Sequence, residues 1–211
     1  MEHFELRAQL LEVAQQMEVA GLNQGTSGNL SVRTKAGFLI TPSALPYARC
    51  KAEDIVFMDL EGSAMGPRKP SSEWRFHRDI YVQRQDAGAV LHAHSPWSTT
   101  LACLQTPIPA FHYMVAVAGG HDIRCAPYAT FGTQTLSDYA LEALQNRKAC
   151  LLANHGLLCL DTDLIKVLAL AIEIEHLAQV YGQAMQIGKP KLLSKAAMEK
   201  VFEKFKDYRN D

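Results

Sequence analysis

The sequence predicts an α/β fold in which helices pack on a central mixed, mostly antiparallel sheet. Short apolar runs of strand length alternate along the chain with segments whose apolar residues recur at helical spacing. Several runs follow each other as hairpin-like pairs, which favours antiparallel neighbours over the crossovers of a doubly wound sheet. The third observation is size. With 211 residues, 48% hydrophobic and 20% charged, the chain has enough for one sizeable core, and we expect a single domain over residues 1–211.

The elements follow in order. Residues 4–20 carry apolar positions at helical spacing, and Gly21 stops them. "GTSGNLSVR" is a glycine-rich turn entering a short strand. "GFLITPS" is a second strand, ended by Pro42, and "DIVFMDL" a third, followed by the turn-rich "EGSAMGPRKP". "SSEWRFHRDIYVQRQ" opens a helix with serines available as caps. "GAVLHAHS" is the next strand, and Pro96 suits the first turn of the helix after it. "DIRCAPYATFG" is a strand and loop, and "TQTLSDYALEALQNR" a helix. "ACLLANHGLLCLD" reads as two apolar runs around Asn-His-Gly. A long helix spans about 163–185, and a last one about 194–207.

A formal net charge of −1 offers nothing to nucleic acid or an anionic membrane. No apolar stretch approaches the roughly 20 residues of a membrane span. Five cysteines form no C-x-x-C pair, and no signal peptide opens the chain, so reduced thiols in a cytoplasmic protein are expected.

His92 and His94 carry the strongest local signal. In a strand, residues i and i+2 share a face, so both imidazoles project one way while Leu91 and Ala93 project the other. Such a pair is either a metal pair or two hydrogen-bonded structural side chains. His155, in a tight turn, and Glu73, near a helix start, could complete a set of three nitrogens and an oxygen, the donor types of catalytic zinc. His77 lies four residues after Glu73, as a decoy or a supporting side chain. Three small-residue stretches could cradle an anion: Gly28 and Asn29, Ser43 and Ala44, and Ser71 and Ser72. Each alone is an ordinary turn or cap.

The segments "GLNQGTSGNLSVR", "LITPSALPY", "PSSEWRFH", "LHAHS", "IPAFHYMVAVAGG", "CAPYATFGT", "NRKACLLANHGL" and "FEKFKDY", in this order, resemble the class II aldolase/adducin family over nearly the whole length. The resemblance implies a three-layer α/β/α fold and Zn²⁺ held by Glu73, His92, His94 and His155. It implies a substrate phosphate at Gly28, Asn29, Ser43, Ala44, Ser71 and Ser72. It further implies a catalytic Tyr113 from the adjacent subunit of a homotetramer, and an aldehyde end lined by Phe131, Phe205 and Tyr208. The implied reaction is reversible cleavage of a ketose 1-phosphate, L-fuculose 1-phosphate or a similar deoxy-ketose, into dihydroxyacetone phosphate and a short aldehyde. A sugar-phosphate 4-epimerase, a dehydratase or decarboxylase, and a non-catalytic adducin-like module are the alternatives on the same scaffold. One departure stands out: the family's T-P-[TS]-G reads T-P-S-A here, and Ala44 resists the positive φ that glycine adopts freely.

Overall fold

In the computed structural model, which describes residues 3–208 and their side chains through Lys206, the His-x-His run spans the end of the strand β5 (Ala89–Ala93), His94 lying just past it, close to the middle of an eight-stranded sheet. The others are β1 (Asn29–Arg33), β2 (Phe38–Ile40), β3 (Val56–Met58), β4 (Ala64–Met65), β6 (Arg124–Ala126), β7 (Ala149–Leu152) and β8 (Gly156–Asp161). Their spatial order is β4-β3-β2-β1-β5-β8-β7-β6. Every pairing is antiparallel except β6 with β7, so the sheet is mixed and mostly antiparallel.

Alternation along the strands builds two cores. Leu91 and Ala93 face a layer that includes α1 (Phe4–Val19), α3 (Pro96–Cys103) and α5 (Leu164–Ile187), with Leu10, Met17, Leu101 and Ile174 among its buried residues. Val90, Leu158 and Leu160 face the opposite layer, α2 (Trp74–Gln83) and α4 (Gln134–Ala143), against Phe76, Ile80, Leu136 and Ala140. The architecture is three-layer α/β/α. The final helix, α6 (Lys195–Tyr208), adds Met198 to the first core.

Capping follows the sequence in places. Thr133 accepts the Leu136 N–H at the start of α4, and Asp163 accepts the Lys166 N–H at the start of α5. Pro96 opens α3 as its geometry favours. The expected serine caps of α2 are a correction: the helix begins at Trp74, and Ser71 Oγ instead accepts the Glu73 N–H at 3.3 Å within the preceding turn. Two further features escaped the pattern reading. Ala64–Met65 pairs with β3 inside the stretch read as a turn, and residues 113–118 wind into a 3-10 helix ended by Gly119 at φ 87°. Among the described residues no helix is long and apolar enough to cross a membrane, and all five cysteines are free thiols.

Candidate active site

Directly opposed residues of an antiparallel pair share a face. β1 lies against β5 with Asn29 opposite His92, so the amide and the imidazole emerge together beneath α2. Glu73, the residue just before α2, lies over the same face, and Phe76 one turn on packs edge-to-face on the His92 ring at 5.6 Å. His94 leaves the end of β5, its N–H donating to Asn23 Oδ1 at 3.3 Å. His155 comes from the β7–β8 turn, where Asn154 takes the left-handed conformation at φ 56° that asparagine tolerates better than most residues. One ligand atom from each of Glu73, His92, His94 and His155 can be chosen so that all four lie within 4.8 Å of one another.

The donors are prepared for a cation. His92 is fully buried, and its Nδ1–H donates to the Leu157 carbonyl at 2.9 Å, which leaves Nε2 as a bare lone pair facing inward. Burial pushes its pKa down to about 3, so the ring is neutral. His94 is likewise pushed down by burial. The Nε2 atoms of His92 and His94 approach to 3.0 Å. Burial alone would raise the Glu73 carboxyl, but the His155 ring beside Oε1 and the Asn29 amide donating to Oε2 outweigh it and hold it below the usual carboxylate range. Glu73 Oε2 lies 3.3 Å from His92 Nε2, and Oε1 lies 3.2 Å from His155 Nε2. Oε1 is buried without a hydrogen bond of acceptable geometry. Three imidazoles and an ionised carboxylate with an orphaned oxygen fit a divalent metal.

Glu73, His94 and His155 line one cleft of about 340 Å³, with His92 buried behind them, within the size range of small-molecule sites. Its walls include Gly28, Asn29, Ser43, Ala44, Ser71 and Ser72, so the three small-residue stretches converge. Their amides are not equally available. Ser43 N–H is spent on Lys69 O and Ser71 N–H on Thr41 O, which leaves the hydroxyls and the Gly28, Ala44 and Ser72 amides as donors for an anion. Ala44 is left-handed, at φ 55°, the strained case that the missing glycine raised. Gly28, at φ 78°, is required for space as well, because a Cβ there would stand 2.4 Å from Asn23 Oδ1.

Phe131 lines the cleft, beside Tyr128, which pattern reading overlooked. Asn23 was also overlooked, although it lies within the quoted "GLNQGTSGN", accepts the His94 N–H and packs close against Gly28. Tyr113 and Phe205 do not reach the cleft of their own chain. Tyr113 is about half exposed, and the two share a separate groove with Lys200 and Lys204. The Tyr208 side chain lies outside the described residues. His77 is fully buried and bonds Asn29, apart from the four convergent groups.

A carboxylate and three imidazoles beside an anion-sized bay, on a mixed sheet covered by helices, define a metal-dependent class of enzyme. The sequence profile of the family described as "Class II Aldolase and Adducin N-terminal domain" matches residues 8–182, and the chain belongs to that family. It is 57% identical over 203 residues to the 5-methylthioribulose-1-phosphate/5-deoxyribulose-1-phosphate aldolase of Rhodospirillum rubrum, covering 96% of this chain and 92% of the relative. It is 48% identical over 209 residues to the L-fuculose phosphate aldolase of Escherichia coli K12, covering 99% and 97%. A solved L-fuculose 1-phosphate aldolase superposes with a TM-score of 0.93 at 42% identity, covering 96% of each chain. Within the family the chain is a class II aldolase, an aldehyde-lyase.

Proposed function

We propose that the enzyme is a zinc-dependent aldolase that cleaves a 5-deoxy- or 6-deoxy-ketose 1-phosphate reversibly to dihydroxyacetone phosphate and a short aldehyde. The observation that carries this reading is the shared cleft: Glu73, His94 and His155 of the candidate cluster, with His92 buried behind them, and the serine-rich wall line the same space. The greater identity to the Rhodospirillum rubrum relative puts 5-methylthioribulose and 5-deoxyribulose 1-phosphates ahead of L-fuculose 1-phosphate. The exposed Tyr128 and Phe131 suit an aldehyde half that is small and partly apolar.

Zinc held by Glu73, His92, His94 and His155 would supply Lewis-acid polarisation of the substrate carbonyl and stabilise the negative charge that develops as C3–C4 breaks. The chain supplies the rest. Ser43, Ser72 and the Ala44 amide hold the phosphate and fix the carbon chain relative to Glu73. In cleavage the C4 hydroxyl gives up its proton, the C3–C4 electron pair passes to C3, and C4 becomes the aldehyde carbon. Glu73, ionised at rest, takes up a proton from water in the cleft and delivers it to C3; in the reverse direction it removes that proton and returns it to solvent. Tyr113 of the partner subunit, as the phenolate, takes the C4 hydroxyl proton and passes it to solvent. Its outward presentation, away from its own cleft, supports an active site shared across a cyclic homotetramer.

The test is a panel of ketose 1-phosphates assayed for release of dihydroxyacetone phosphate. We expect the best turnover on a 5-deoxy-pentulose or 6-deoxy-hexulose 1-phosphate. Conversion to a C4 epimer without net release would replace the aldolase reading with the epimerase one. A chelator should abolish activity, and Zn²⁺ should restore it. His92→Ala, His94→Ala and His155→Ala should each lower the zinc content sharply, and full occupancy in any of them would remove that residue from the metal set.

A further inference from the structure

His77 has no part in the proposed reaction, yet it is a fully buried imidazole four residues from Glu73. Four residues of helix advance about 6 Å, and two residues of strand advance about 6.8 Å. Glu73, His77 and Tyr81 therefore form a stripe along α2 that stays in step with Asn29 and Ser31 on β1. The two rows interleave. Asn29 Nδ2 lies 3.0 Å from Glu73 Oε2, and Asn29 Oδ1 lies 2.5 Å from His77 Nε2. His77 Nδ1 lies 2.7 Å from Ser31 Oγ, which lies 2.8 Å from Tyr81 OH. All five groups are buried.

The direction of every bond follows from the carboxylate. An ionised Glu73 only accepts, so Asn29 must turn its NH₂ toward it and its Oδ1 toward His77. His77 Nε2 must then carry a proton and donate. Burial pushes the His77 pKa down to about 3, so the ring holds one proton and Nδ1 accepts, from Ser31 Oγ–H. Ser31 Oγ in turn accepts from Tyr81, whose phenol burial keeps protonated. Each donor points toward Glu73.

We propose that His77 is a positioning residue: held with its proton on Nε2 by Ser31 and Tyr81, it locks the Asn29 amide so that its N–H aims the Glu73 carboxylate into the cleft. The proposal rests on the reading of Glu73 as the proton carrier at C3. Without the lock, Asn29 is free to present Oδ1 to the carboxylate, and two buried acceptors repel each other.

The test uses full-length, zinc-loaded protein with ¹⁵N-labelled histidine. His77 should show a protonated Nε2 and a bare Nδ1, and Ser31→Ala should weaken that preference. In parallel, solvent-deuterium exchange at C3 of dihydroxyacetone phosphate is measured in two variants. His77→Leu removes the donor and should slow exchange about tenfold or more with KM nearly unchanged. His77→Gln places an N–H near the Nε2 position and should recover most of the rate. If His77→Leu does not fold, Ser31→Ala takes its place and should slow exchange by a smaller factor. A proton on Nδ1 overturns the proposal. So does wild-type exchange in the Leu variant, or equal failure of the Leu and Gln variants, which would make His77 a packing group. If the wild-type enzyme itself exchanges no deuterium, the role of Glu73 falls, and the tautomer alone then decides the relay.

Discussion

Ala44 faces the anion bay with a backbone shape that suits glycine better. A left-handed L-residue crowds its Cβ against the following carbonyl, at a cost of about 1–2 kcal/mol. We expect Ala44→Gly to stabilise the fold by about 1 kcal/mol, part of the relief being offset by glycine's backbone entropy, and a denaturant midpoint that does not rise would place the strain elsewhere. The buried imidazoles give a second expectation. His77 and His92 titrate near 3 in the folded chain against 6.5 for a free ring. Between those values the unfolded chain binds protons that the folded one refuses, so stability rises with pH. The stabilisation is complete above about pH 6.5 and is lost as pH falls toward 3. Denaturant midpoints between pH 7 and 4.5 should fall, and His77→Gln should fall less steeply. An equal slope in that variant would exclude His77 as a source of the acid sensitivity.

The element that follows the histidine pair is tied down from across its core. Glu175, on α5, accepts from the Trp97 and Ser98 N–H groups and from the Ser95 and Ser98 hydroxyls, at 2.7–2.9 Å. A carboxylate at the start of α3 satisfies amides that have no partner inside the helix and complements its dipole. Because Ser95 directly follows His94, the same bonds hold a candidate metal ligand. Glu175→Ala should cost about 2–3 kcal/mol, in line with lost charge-assisted bonds, and should weaken zinc affinity more than an equally destabilising change in α4. Equal effects on affinity would reduce Glu175 to a plain cap. This capping group was invisible in the sequence, because it lies 80 residues from the serine it holds. Thr133 and Asp163, by contrast, cap the helices they immediately precede and could be read locally. The Ser71–Ser72 pair misled for a related reason: a local hydroxyl was there, but the turn used it one residue before the helix began. The two-residue β4 was hidden by length, since two residues carry no period.

At the scale of the whole chain, the candidate site joins residue 73, residues 92 and 94, and residue 155, and no sequence spacing connects them. Only His92 and His94 announced themselves, because strand alternation acts over two residues. Glu73 and His155 were candidates by donor type alone until the family resemblance joined them to the pair, and their convergence depends on how the start of α2 and the β7–β8 turn meet at one end of the central strands. On the proposed function, Tyr113 extends the dependence to a neighbouring subunit. Glu73→Gln and Tyr113→Phe proteins, each nearly inactive alone, should regain activity when their subunits exchange. About a quarter of interfaces then pair an intact Glu73 with an intact Tyr113, if mixing is random and the interfaces equivalent. Sedimentation would confirm mixed oligomers, and mixed oligomers without activity would place Tyr113 outside the reaction.

The loop carrying Tyr128 and Phe131 connects β6 to α4; Ala129 packs against the second core, and Arg75 Nη1 pins one end of the loop by donating to the Gly132 carbonyl at 2.6 Å. On the proposed function, the side chains that meet the aldehyde thus come from a segment separate from those that carry the candidate metal ligands. Substrate preference could then drift there by single nucleotide changes while the proposed reaction centre is inherited intact. A library randomised at positions 128 and 131 should return clones with altered aldehyde choice, wild-type zinc content and an unshifted melting temperature. Widespread loss of metal in that library would mean that the loop and the centre cannot evolve independently.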